Sequence, residues 1–170
     1  MVKDLDWAAD LARYPEKRPF LKEQSLWAIW IYRFGRRVDA KSAGVHKRLF
    51  NMLYWLLFRC IETITGISLP KTASIGGGLR IWHFGGIFIN SAAVIGKNCT
   101  LRQGVTIGNR VENGPSPVIG DNVDIGAYAQ ILGGIKINDN VKIGAMTVVL
   151  MDVAEGATAV GNPARVISKV

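Results

Sequence analysis

The sequence predicts a mainly β fold, a parallel β-helix of hexapeptide repeats with an α-helical N-terminal region ahead of it. Three observations carry this expectation. An aliphatic residue returns at every sixth position through Ile119, Ile125, Ile131, Ile137, Ile143 and Val149. The same beat runs through Ile89, Ile95, Leu101 and Ile107, with an earlier fragment at Ile75, Ile81 and Ile87. A second column precedes these by two residues, as Val123, Ala129, Ile135 and Val141 and, earlier, as Ala93, Cys99 and Val105. Composition also changes near Gly66: sixteen of the nineteen glycines lie beyond it and four of the five tryptophans before it.

A helix repeats every 3.6 residues and a flat strand every two, so a beat of six belongs to neither. In a β-helix each hexad makes one short strand and one corner, and three hexads close a triangular coil. The recurrent aliphatics then stack inside the prism. Gly120, Gly126 and Gly144 directly follow them, where the chain turns and a side chain would crowd the corner. One coil cannot bury its apolar face alone, so several must stack. The stretch from Ile75 to Val160 has room for roughly five coils of about 18 residues. The expected division is residues 1–66 as a helical region and 67–170 as the β-helix.

Two helices are expected in the first part. One runs from about Leu21 to Val38 and is apolar nearly all round its middle, from Leu26 to Tyr32. The other, from about Val45 to Thr65, carries Leu49, Phe50, Leu53, Leu56, Leu57, Cys60, Ile61 and Ile64 on a broad face, and Gly66 is placed to end it. The net charge of +8 concentrates here: residues 33–59 hold seven Lys or Arg against one acid, Asp39. The preferred reading is that these helices pack on each other, on the first coil and on sister subunits. The alternative is peripheral docking to the inner face of a membrane through the cations, Trp27, Trp30, Tyr54 and Trp55. No nucleic-acid motif accompanies the charge, and no nucleic-acid partner is expected. Met1 to Arg18 lacks the apolar core of a signal peptide, and no run is long enough to span a bilayer. Cys60 and Cys99 both fall at positions expected to be interior, as reduced cysteines of a cytoplasmic protein.

The β-helix has one interruption. Asn109 to Val118 (NRVENGPSPV) breaks the beat, yet Ile107 and Ile119 stay two hexads apart, so a polar loop leaves the prism and returns in register. Loops held by a rigid scaffold commonly carry function. The closing run from Val160 to Ile167 is expected to cap the last coil.

From Pro70 onward the chain resembles the hexapeptide-repeat acyltransferases, in the serine acetyltransferase-like branch. The resemblance rests on PKTASIGGGLRIWHFGG, LRQGVTIGN, IGDNVDIGAYAQILGGIKI, VKIGAMTVVL and GNPARVI. LRQGVTIGNR and the helical lead-in also resemble exopolysaccharide O-acetyltransferases of the colanic acid type. The resemblance implies a left-handed β-helix, a homotrimer, and acetyl-CoA held in a cleft between neighbouring prisms. It implies a histidine base, and His83 falls where the family's Asp-His-x-x-Gly motif places it. A histidine suits the role because its ordinary pKa lies near working pH; His46, in a basic helix, is expected to be solvated. Matching cofactor positions are the corner pairs Gly126-Ala127 and Gly144-Ala145, together with Gly108, and Arg165 for a nucleotide phosphate with Lys169 adding charge. Gly85 and Gly108 are places for close backbone approach. No metal site is expected.

The departures from the family shape the expected acceptor. Trp82 stands where serine acetyltransferases have an acid that holds the serine amine. The region about fifteen residues upstream of His83 reads Ile67-Ser68-Leu69, without the acid that orients the imidazole. The loop offers Arg110 and Glu112 instead of a second histidine. Trp82, Arg110 and Glu112 are therefore expected to bind the acceptor, with the Trp82 indole stacking on a sugar ring. The function expected first is acetyl transfer from acetyl-CoA to a sugar hydroxyl in polysaccharide or glycan assembly. Serine O-acetylation is the first alternative, and a non-catalytic β-helix scaffold the second.

Overall fold

The computed structural model describes residues 5–167; Lys169 lies outside them. Four helices come first: α1 (Leu5–Ala12), α2 (Pro19–Lys22), α3 (Gln24–Asp39) and α4 (Val45–Thr65). Short strands follow: β1 (Ile67–Ser68), β2 (Ser74–Ile75), β3 (Arg80–Ile81), β4 (Ile87–Ile89), β5 (Val94–Ile95), β6 (Thr100–Leu101), β7 (Thr106–Gly108) and β8 (Val118–Ile119). The last seven are β9 (Asp124–Ile125), β10 (Gln130–Leu132), β11 (Lys136–Ile137), β12 (Lys142–Ile143), β13 (Val148–Val149), β14 (Thr158–Val160) and β15 (Arg165–Ile167).

The strands form three parallel faces of a prism. The first face is β1-β4-β7-β10-β13, the second β2-β5-β8-β11, and the third β3-β6-β9-β12-β14, closed by β15 in antiparallel pairing. This is the mainly β solenoid, five coils deep, that the six-residue beat predicts. The recurrent aliphatics are sealed inside: Ile119, Ile125, Ile131, Ile137, Ile143 and Val149 are all 3 % exposed or less. The glycines after them stand where corners stack. A Cβ on Gly126 would overlap the Ala145 nitrogen, so backbone itself excludes any side chain.

The spacing between coils is uneven, and the exceptions mark the corners that matter. Ile67 pairs with Ile87 and Ile81 with Leu101, twenty residues on, whereas later coils pair Ile119 with Ile137 and Ile125 with Ile143, eighteen on. The two extra residues sit between Ile81 and Ile89, in the corner Trp82-His83-Phe84-Gly85-Gly86, where both glycines take positive φ (103° and 67°). Ile87 therefore starts the next pair of inward residues with Ile89, rather than continuing the fragment from Ile75 and Ile81. The loop after Asn109 adds one hexad between the first and second faces, and it ends at Pro117 because Val118 already belongs to β8.

The helical region shares the core of the prism. Tyr14, Leu26, Ala28, Ile29 and Tyr32 pack in one cluster with Ile67, Leu69, Ile75 and Ile81. Polar anchors fix the contact. Arg33, 2 % exposed, pairs with Asp10 at 2.7 Å and 3.0 Å and donates to the carbonyls of Ile75 and Gly76. Asp10 also accepts from the Leu79 amide at 2.8 Å.

The helix expected from Leu21 breaks at Glu23, whose extended backbone separates α2 from α3. α4 has the predicted span, and Gly66 ends it in the left-handed conformation at φ 65°. Much of its broad apolar face is not covered within the chain. Leu49, Met52, Leu53, Leu56 and Ile64 are exposed, and so is Cys60, contrary to the interior position expected for it. α4 leans on α3 through Tyr54 and Phe58, with Leu57 and Ile61 packed partly beneath it, and turns the rest of its stripe outward. No described helix is long and apolar enough to cross a membrane.

Candidate active site

Corners between the third and first faces stack into one edge of the prism. The Gly104 amide donates to the Gly85 carbonyl (3.0 Å), Tyr128 to Gln103 (2.8 Å), Met146 to Ala127 (2.8 Å), and Val148 to Gly161 (3.0 Å). This edge carries His83 in its first coil, Gly126-Ala127 and Gly144-Ala145 in later ones, and leads to Arg165 on β15. From the His83 corner to the Ala145 corner is three strand spacings, about 14 Å at ~4.8 Å each. At the far end Val160, Gly161, Asn162, Pro163, Arg165 and Ile167 line a cavity of about 460 Å³. The exposed Arg165 thus lies beside an open space at the far end of this edge.

His83 is exposed on its enlarged corner. Among the described residues nothing hydrogen-bonds its imidazole, and Ser68, from the upstream region that lacks the orienting acid, is in β1 beside Phe88 of β4. Facing His83 is the junction of α2 and α3. Lys22, Glu23, Ser25, Trp82, His83 and Phe84 line a cavity of about 320 Å³. The Ser25 hydroxyl donates to the Ile81 carbonyl at 3.1 Å, which ties the start of α3 to the strand that delivers His83. His46 is exposed on α4, away from this cavity, as its basic surroundings predict.

Arg80 organises the cavity wall from behind. Its guanidinium lies 3.8 Å from the Tyr14 ring centroid and 4.5 Å from that of Trp82, and Nη2 reaches the Glu23 carboxylate at 3.6 Å. The Arg80 Nε and Nη1 are buried with no hydrogen-bond partner among the described residues. Cation–π contact of this kind is worth about 0.5–2 kcal/mol. Sequence reasoning missed Glu23 and Arg80. Glu23 lies sixty positions before the histidine, in a region without repeat phase, and only the fold brings the two together.

Gly108, Arg110 and Glu112 lie on another edge, between the first and second faces. The Gly133 amide donates to the Gly108 carbonyl at 2.8 Å, Arg110 runs along Gly133, and Pro115 covers Gly134. Arg110 and Glu112 are exposed. Within one chain the structure does not bring them to His83.

Neither cysteine enters the site. Cys99 is fully buried, and burial pushes its thiol up to about 11. Cys60 is on α4.

Comparison with known proteins identifies the lineage. Residues 116–150 match the family model for the bacterial transferase hexapeptide (six repeats). The serine acetyltransferase of Helicobacter pylori strain 26695 is 41 % identical over 128 residues, covering 74 % of this chain and 75 % of that protein. The chain belongs to the serine acetyltransferase family.

Soybean serine acetyltransferase complexed with serine superposes with a TM-score of 0.82 at 33 % identity, over 96 % of this chain and 68 % of that one. A serine acetyltransferase complex with CoA gives 0.79 at 32 % identity, over 95 % and 66 %. As a member of the serine acetyltransferase family, the chain is an acetyl-CoA-dependent acyltransferase, and the scaffold alternative is set aside. The sugar acceptor and the role in polysaccharide assembly are overturned by the same relatives, which are serine acetyltransferases. The physical reason lies at Trp82. Its ring backs the Arg80 guanidinium, 4.5 Å from the centroid, a role within the chain that calls for no sugar.

Proposed function

We propose that this chain is a serine O-acetyltransferase that moves acetyl from acetyl-CoA to the hydroxyl of serine. The observation that carries this reading is the single edge that joins the His83 corner, the stacked corners Gly126-Ala127 and Gly144-Ala145, and the cavity beside Arg165. A donor stretched along that edge would present its thioester to His83 with its nucleotide end toward Arg165. The acceptor cavity fits the same reading: about 320 Å³ stands at the small end of the roughly 300–1,000 Å³ range of ligand sites.

His83 takes the proton from the serine hydroxyl as its oxygen attacks the thioester carbonyl. The tetrahedral intermediate then collapses, the carbon–sulfur bond breaks, and the thiolate of CoA takes the proton back from the imidazolium. Acetyl passes directly, since Cys99 is sealed in the core with its thiol pushed up to about 11. The residues on the other edge have a place if the chain forms a trimer. A neighbouring prism would set its Gly108, Arg110 and Glu112 against the edge that carries His83, and so close the donor cleft.

The test is thiol release from acetyl-CoA with serine, simple sugars and nucleotide-sugars, in the wild type and in His83→Ala. Serine-dependent release, lowered about 10²–10⁴-fold in kcat by the substitution, is expected for the loss of a general base. Release that depends on a sugar and not on serine would overturn the reading.

A further inference from the structure

The cavity at His83 contains a feature that the reaction alone does not explain. Serine approaches a base as a zwitterion, and its ammonium needs an anionic partner once it leaves water. The position beside the histidine holds Trp82, which has no charge to offer. Among the described residues lining this cavity, Glu23 is the one carboxylate.

Four details make Glu23 more than a surface acid. Its side chain is 24 % exposed, sheltered yet reachable. Its ion pair with Arg80 Nη2, at 3.6 Å, is longer than a hydrogen bond, so lone pairs remain for a ligand. Arg80 cannot swing away, because its side chain is 5 % exposed and its guanidinium is held between Tyr14 and Trp82. The backbone break between α2 and α3 falls at Glu23 itself, with φ −113° and ψ 96°, and sets this residue at the cavity.

We infer that Glu23 is the specificity-determining residue for the acceptor amine, an assignment that rests on the serine reading above. The carboxylate receives the ammonium of serine and turns the hydroxyl toward His83. Trp82 serves through Arg80: the indole backs the guanidinium that holds Glu23 in place. In this chain the acid that reads the amine comes from the helical region and not from the corner that carries the base.

The test compares serine with 3-hydroxypropanoate, which keeps the hydroxyl and carboxylate and lacks the amine. The full chain, as wild type, Glu23→Gln and Glu23→Asp, is assayed by thiol release from acetyl-CoA. Glu23→Gln is expected to raise the KM for serine about 10–100-fold, the scale of one lost charge-assisted hydrogen bond. Its KM for acetyl-CoA and its KM for 3-hydroxypropanoate are expected to stay within about threefold of wild type, because neither ligand brings an ammonium to Glu23, whereas the loss of the Arg80 pair is common to all the measurements. Glu23→Asp, which keeps the charge with a shorter reach, is expected to fall between and supplies the measurement if the Gln variant does not fold. An unchanged serine KM in both variants would overturn the assignment, as would an equal rise for both acceptors. A wild-type enzyme silent toward serine would instead overturn the serine reading, and the assignment with it.

Discussion

α3 and α4 look alike in the sequence, two apolar helices of similar aromatic content, yet the fold treats them in opposite ways. Leu26, Ile29 and Tyr32 of α3 are 0 % exposed, while Leu49, Met52 and Leu56 of α4 are 62 %, 71 % and 63 % exposed. Hydrophobicity does not separate them; polar anchoring does. α3 sends Ser25, Tyr32 and Arg33 to backbone groups of the first coil. α4 sends Tyr54, whose hydroxyl receives the Lys71 amide at 2.9 Å. The anchored helix also supplies the wall opposite His83. A helix that carries side chains satisfied only by the prism is committed to it, whereas an apolar stripe alone commits to nothing.

Removing that anchoring at its centre is expected to cost most. In Asp10→Ala the buried Arg33 guanidinium loses its two-point partner and keeps only the half-exposed Asp6 carboxylate at 3.5 Å, which costs about 3–5 kcal/mol. Urea unfolding checks this, and serine-dependent activity is expected to fall together with stability because the start of α3 is the cavity wall. A loss below about 1 kcal/mol, the scale of an exposed ion pair, would mean that apolar packing alone holds α3. Removing apolar packing from the same helix tests the other half of the contrast. Ile29→Ala deletes a fully buried side chain and is expected to cost about 2–5 kcal/mol.

The same two helices mark how far the sequence is legible. The six-residue beat reveals the prism because every coil must repeat the same burial, and burial is written in residue type. His83 is singled out by its motif, and the structure sets it on the enlarged corner beside a cavity. The eight-residue interval from Ile81 to Ile89 is present in the sequence too, though it reads as noise until the pairing of Ile81 with Leu101 shows where two residues are spare. Glu23 is illegible, because its place depends on how α2 and α3 meet the first coil, a contact between segments that share no periodicity. Cys60 is misplaced by the sequence for the same reason: a helical stripe shows which residues share a face and not what covers it.

The cysteines extend the contrast without altering stability. Cys60 of α4 is exposed, and a small alkylating reagent is expected to label it in the folded protein. Cys99, sealed inside the prism with its thiol pushed up to about 11, is expected to react only after unfolding. Mass spectrometry after timed labelling reads both sites in one sample. Equal labelling rates would mean that the prism opens as readily as the surface of α4.

The outward stripe itself should respond least. Leu56 is exposed, so Leu56→Ala loses little packing within the chain and is expected to change stability by no more than about 0.5 kcal/mol. The same truncation at Ile29 is several times larger, and that ratio expresses the difference between α3 and α4 as one number. It is measured by urea unfolding over a range of protein concentrations. A cost for Leu56→Ala near that of Ile29→Ala would show that the stripe is covered in solution, and growth of that cost with concentration would show that other copies of the chain cover it.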